Sequence, residues 1–163
     1  MTLGSLERRR IVRGALAGGV AAGVWALQQP LDKRVLPGGY DDVELLGRAL
    51  LPRARRRRWY PLGLALHVQN GALFGVAYAG AVAPLLARAG VPAQARGPLV
   101  AQVENFGLWP LGRLSDRFHP AREQMPRLAG NRHALAQATW RHLLFGVVMG
   151  ELERRLNGEP ARA

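Results

Sequence analysis

The chain has 163 residues, enough for one ordinary domain, and a net charge of +12 at neutral pH. It holds no cysteine, which excludes disulfides, cysteine nucleophiles and cysteine-ligated metals. Of its 23 cations 22 are Arg and one is Lys33, which with the abundant Ala and Gly reads as the codon usage of a GC-rich genome; this weakens the nucleic-acid partner that a pI near 11.7 otherwise suggests. Hydrophobic residues make up 48%, ordinary for a soluble domain and low for a polytopic membrane protein. The average hides a segregation, because the charges crowd into a few stretches and leave long gaps between them.

Four apolar segments follow in chain order, read as helices over roughly 10–33, 61–88, 97–117 and 133–156. The first holds the uncharged stretch Gly14 to Leu31, rich in Ala, Gly, Val and Leu. The second lies in the uncharged gap between Arg58 and Arg88 and is long enough to cross a bilayer. Glu104 alone interrupts Gly97 to Gly112, and Arg141 alone interrupts Ala134 to Gly150. Strands fit poorly, since apolar and polar residues rarely alternate and Ala and Leu dominate. Pro61, Pro98 and Pro126 mark helix starts, whereas Pro84 and Pro110 should kink or end a helix.

The connector, residues 34–60, opens with the turn Pro37-Gly38-Gly39. Asp41 or Asp42 can cap a short amphipathic helix carrying Val43, Leu46 and Leu50. It closes on Arg53 and on Arg55, Arg56, Arg57 and Arg58, followed by Trp59 and Tyr60. Cations, then amphipathic aromatics, then an uncharged span is the order expected where Arg meets lipid phosphate and Trp and Tyr lie at headgroup level. In an up-down-up-down chain Trp25, Trp59, Trp109 and Trp140 fall at one end, so one aromatic belt is expected opposite the termini. Cations are more numerous at that end, which places it in the cytoplasm and the termini outside. Arg8, Arg9, Arg10 and Arg13 argue for the reverse. The same cations before a soft Ala/Gly stretch also resemble a twin-arginine export signal, but no small-x-small cleavage site follows at a sensible distance.

Glycines recur at helical spacing. Gly14-Gly18, Gly19-Gly23, Gly71-Gly75 and Gly146-Gly150 are small-x-x-x-small pairs, which let helix backbones approach closely in lipid. Two of them extend to His-x-x-x-Gly-x-x-x-Gly, at His67-Gly71-Gly75 and His142-Gly146-Gly150, and Arg10-Gly14-Gly18 is a third ladder with Arg in the His place. Residues i, i+4 and i+8 share a helix face, so each His should point at a neighbouring helix and the second and fourth helices should pack alike. A duplicated two-helix unit would explain this, though the first and third helices show little similarity.

Asn70 lies beside the first ladder, and Glu104 and Asn105 sit in the middle of the third helix with Gln102 adjacent. A carboxylate inside a membrane is costly unless paired, which makes Glu104 a candidate functional residue with His67, His142 or Arg141 as partner. The cluster of His67, Asn70, Glu104, Asn105, Arg141 and His142 reads as interhelical hydrogen bonding, as a polar cavity for a proton, ion or small ligand, or as a metal or bis-His haem site. The last lacks the second Glu and the Glu-x-x-His of di-iron proteins, so neither a cofactor nor a metal is expected. His119 and His133 read as loop or helix-start residues. Hydrolase, P-loop and dinucleotide signatures are absent.

Together, an opening Gly/Ala-rich helix (RGALAGGVAAGVWAL), an amphipathic connector, the first His-Gly ladder, Gly107-Leu108-Trp109-Pro110, and an Arg-rich connector leading to His-Leu-x-x-Gly resemble the small bacterial inner-membrane proteins of the YagU-like family, over most of residues 10–156. The resemblance implies a four-helix integral membrane protein without a settled activity; acid tolerance has been linked to one branch. Glu104 and the Arg55–Arg58 run are not matched to it. The expectation is therefore an all-α, four-helix transmembrane bundle in a single domain of the bacterial inner membrane, facing anionic headgroups and free to associate with its own copies or other membrane proteins. Its expected role is non-enzymatic. The alternatives are a transport component using Glu104, His67 and His142, and a soluble basic domain that binds nucleic acid.

Overall fold

The computed structural model describes residues 3–158. Most of those residues are helical, and no strand occurs among them. The elements are α1 (Leu3–Val35), α2 (Asp42–Leu50), α3 (Arg56–Ala77), a π turn (Tyr78–Val82), α4 (Ala83–Arg88), α5 (Ala93–Leu108), a 3-10 turn (Trp109–Leu111), α6 (Gly112–Phe118), a second 3-10 turn (Arg122–Gln124) and α7 (Arg132–Asn157).

The helices start earlier than their prolines suggest. Pro61 lies inside α3 and Pro98 inside α5, each in the second turn. Each proline gives up one i→i−4 bond, and only a single turn, whose own N–H groups lack intrahelical partners, lies before it to absorb the ring. Arg56, Arg57 and Arg58 thus belong to the first turn of α3, where cations oppose the helix dipole, and this hid the true start. Pro126 falls in a loop. Pro84 does not end its helix. The π turn precedes it, with the Ala83 N–H reaching back to the Tyr78 carbonyl, and the helix runs on to Arg88. Pro110 ends α5, which gives way to the 3-10 turn and α6 rather than continuing to 117. Asp41 caps α2, taking the Glu44 N–H at 2.9 Å, while Asn131 caps α7, taking the Ala134 N–H at 3.0 Å. Gly158, at φ 77°, closes α7 in the left-handed region.

α1 packs between α3 and α7, α5 packs on α7, and α2 lies across the start of α3. Glycine closes three of these four seams, all but that of α1 on α7. A Cβ at Gly14 or Gly18 would strike the carbonyls of Gly75 and Gly71, and the reverse holds for α3 against α1. On the other side Gly146 and Gly150 close on Gly97 of α5. Gly47 and Gly63 do the same for α2 on α3. The Gly19-Gly23 pair makes no seam: Gly19 meets only ordinary contacts, and nothing approaches a Cβ at Gly23.

Two helical stretches, Gly4–Val35 and Arg56–Arg88, are long and apolar enough to cross a membrane. α5 is 16 residues long.

Candidate functional site

The most deeply enclosed charge is Arg141, which is fully buried on α7. Its partner is not Glu104. Its Nε and Nη2 donate to Asp32 Oδ2 and Oδ1 at 2.6 and 2.7 Å, a two-pronged ion pair across from the end of α1. Its Nη1 donates to the Tyr40 carbonyl at 3.0 Å and to Asp42 Oδ2 at 3.2 Å. Both carboxylates are further saturated. Asp32 accepts from Gln28 at 2.8 Å and Gln137 at 3.3 Å. Asp42 accepts from Trp25 Nε1 at 3.1 Å, Gln29 at 3.2 Å and the Tyr40 hydroxyl. Burial first, then the Asp42 carboxylate, pushes the Tyr40 phenol well above its ordinary range, so it stays protonated and donates. Lys33 pairs with Asp41 beside this hub. The hub clamps the connector onto α1 and α7, and Gly38 lets the connector pass tightly over Gln137 and Ala134.

Next to the hub lies a chamber of about 410 Å³. α1 and α7 supply Ala22, Trp25, Ala138, His142 and Phe145, α3 supplies His67, Asn70 and Phe74, and α5 supplies Glu104 and Asn105. Tyr40 of the connector, Asp42 of α2, Trp109, and Ser115 of α6 add the remaining polar and aromatic walls. Asn70, Leu108 and Leu111 on its lining are exposed, so the chamber opens outward.

Both ladder histidines reach this chamber. Trp25 stands between them, edge-on to His67 at 5.1 Å and to His142 at 4.7 Å between ring centres. His142 Nδ1 lies 2.7 Å from the Ala138 carbonyl, and its Nε2 lies 3.9 Å from Glu104 Oε2. His67 bonds the backbone of Ala22, while its Nε2 is buried with no hydrogen-bond partner. Asn105 is buried and bridges α5 to α7 through Thr139 Oγ1 at 3.2 Å. Asn70 is exposed at the chamber lining. Five of the six cluster residues expected from the sequence therefore line one cavity, and Arg141 belongs to the hub instead.

The aromatic belt is only half as expected. All four indoles gather around residues 28–48: Trp25 on Asp42, Trp59 on Arg48 at 5.0 Å, Trp109 on Tyr40 at 6.3 Å, and Trp140 on Gln28 at 3.1 Å. Trp25 and Trp59 are buried, however, because one indole is built into the chamber and the other lies under α2. Arg55 to Arg58 are exposed, and Arg56 covers the Tyr60 ring at 5.1 Å. His119 locks its connection onto α2 by a 3.0 Å bond to the Leu45 carbonyl, and His133 is exposed.

Asp32, Asp42, Gln137 and Tyr40 escaped sequence reasoning. The signal was present in Arg141: a lone cation in an apolar stretch demands a carboxylate, and Gln137 shares its face four residues earlier. Among the described residues no three of His, Asp and Glu come together as a metal set. No family model, curated protein or solved structure matches the chain.

Proposed function

We propose that the chain is a small integral membrane protein of the bacterial inner membrane, crossing it four times and acting without catalysis. The supporting observation is an inverted distribution of side chains. The largest fully buried side chains include Arg141, Gln137 and Tyr78. Most of the rest of the core is Ala. Large aliphatic residues face outward instead: Leu73 and Leu85 are 58% exposed, Val103 65% and Val147 49%. A water-soluble helical domain buries such residues, since each stabilises it by about 1.5–3 kcal/mol when enclosed. In hydrocarbon they need no cover, while polar groups must turn inward and pair. The middle of each long segment fits this solvent: the one cation there, Arg141, is inside, and Glu104 lines the chamber.

In this reading Arg55 to Arg58, with Trp59 and Tyr60 beside them, meet anionic headgroups, and the resemblance to YagU-like proteins belongs to the same proposal. Alkaline carbonate extraction of membranes tests it. The chain stays in the pellet if the proposal holds, and release into the supernatant overturns it.

A second reading concerns what the chamber does, and His67 favours it. A buried ring nitrogen without a partner is poor design for a purely structural pair. It suits a site that binds a proton, an ion or a small ligand. Saturable uptake of a small molecule by the purified chain supports this; a chamber indifferent to every such probe and to protons overturns it.

A further inference from the structure

We propose that the chamber binds a small organic cation through a primary ammonium group, an assignment that rests on the chamber being a ligand site.

The first reason is a surplus of acceptors. The Ala138 carbonyl can only accept, so His142 Nδ1, 2.7 Å from it, carries a proton. With the ring neutral, as at the pH of the test below, Nε2 presents a lone pair. Glu104 Oε2 lies 3.9 Å from that nitrogen, and once ionised, as under the alkaline conditions of the test below, a carboxylate also only accepts. His67 repeats the pattern: one nitrogen is satisfied by the Ala22 backbone, and Nε2 is buried and unpartnered on a side chain 8% exposed. Three acceptors thus line one chamber and none of them receives a hydrogen bond, although Asn70 and Ser115 on the same lining carry donors. An ammonium has three N–H donors and no acceptor.

The second reason is charge. Asp32 and Asp42 stand against the single guanidinium of Arg141, and Glu104 adds a third carboxylate. With both rings neutral, three negative charges face one positive charge. The deficit is partly enclosed and favours a cation, which can reach Glu104 from the chamber mouth because 34% of that side chain is exposed. The third reason is the wall. Trp25, Phe74 and Phe145 offer aromatic surface for the carbon skeleton and for cation–π contact. A volume of about 410 Å³ also exceeds what a proton requires and falls in the range of small-ligand sites.

The test uses the full chain in lipid nanodiscs at about pH 8, where free imidazoles are neutral. Phenethylamine and its uncharged isostere 2-phenylethanol are titrated calorimetrically against protein-containing and empty discs. The proposal expects saturable amine binding, with the alcohol weaker by about tenfold or more, as loss of a charge-assisted hydrogen bond implies. Glu104→Gln should weaken the amine by about the same factor and leave the alcohol unchanged. Phe74→Trp, which fills the chamber and alters no charge, should weaken the amine in a chain that keeps every acceptor. Equal binding of amine and alcohol overturns the ammonium assignment while leaving a ligand chamber in place. Absence of saturable binding by either probe overturns the assignment, and a proton titration of the same discs then decides whether the chamber reading falls with it. Amine binding unchanged in both variants overturns the assignment of the site.

Discussion

Arg141 and His142 are neighbours on α7 with opposite fates. Arg141 turns into a hub where both carboxylates and the guanidinium are satisfied by α1, α2, α7 and the connector. His142 turns into a chamber where its Nε2 stands 3.9 Å from the Glu104 carboxylate and where His67 Nε2 has no partner. Asp42 and Trp25 touch both regions. The contrast separates two uses of buried polarity. A saturated network fixes one arrangement of the backbone, while an unsaturated one waits for something to complete it.

The largest expected effect breaks the hub. Arg141→Met leaves Asp32 and Asp42 buried without their counter-charge and should cost about 3–5 kcal/mol, read as a lowered unfolding midpoint in detergent. Adding Asp32→Asn and Asp42→Asn should recover part of that loss, because the stranded charges go with it. An unaltered midpoint in the single variant would mean that the hub does not hold the connector.

Next come the seams. Gly18→Leu forces α1 away from the Gly71 carbonyl and should cost about 1–3 kcal/mol. Gly23→Ala meets open space in the same helix and should be neutral or stabilising by about 0.5–1 kcal/mol. Equal outcomes would remove the distinction between packed and open glycines.

A smaller effect depends on pH. The Tyr40 phenol titrates above its ordinary value of 10.0 when folded, owing to burial and then to Asp42. Above that ordinary value the unfolded chain releases the proton while the folded chain keeps it. Stability from Tyr40 is therefore complete below about pH 10 and is lost as pH rises toward the raised folded value. Tyr40→Phe should flatten this alkaline decline in a series of unfolding curves; a decline of the same steepness in the variant would place its origin elsewhere.

The smallest effect is the sharpest against the hub. Glu104 accepts no close hydrogen bond and adds to the unbalanced charge, so Glu104→Gln should leave the ligand-free chain as stable or more stable by up to about 1 kcal/mol. A loss as large as that of Arg141→Met would make the chamber a structural network like its neighbour.

Much of this was legible in the sequence. Charge gaps marked the long helices, and the ladders placed His67 and His142 against neighbouring backbones, because a period of four on a helix leaves little choice of face. The helix starts were not legible, since an opening run of Arg followed one turn later by Pro has the composition of a loop. The hub was hidden for a different reason. Asp32 follows the uncharged stretch of α1 beside Lys33 and belongs to no motif, and Asp41 and Asp42 both read as caps. Only packing shows that Asp41 caps α2 and Asp42 turns inward. Gly47, Gly63 and Gly97 were missed because each pairs with a glycine or backbone on another helix, not with one four residues away.

The central claim is that the outer surface of this chain is made for hydrocarbon. The absence of cysteine allows a single nitroxide at Leu73, Val103 or Val147 of the reconstituted chain, with Arg57 as the headgroup control. Collision with dissolved oxygen and with a water-soluble nickel chelate is measured by electron paramagnetic resonance. If the proposed membrane location holds, oxygen reaches the first three positions and the chelate does not, while the chelate reaches Arg57. Free access of the chelate to Leu73, Val103 and Val147 would contradict it.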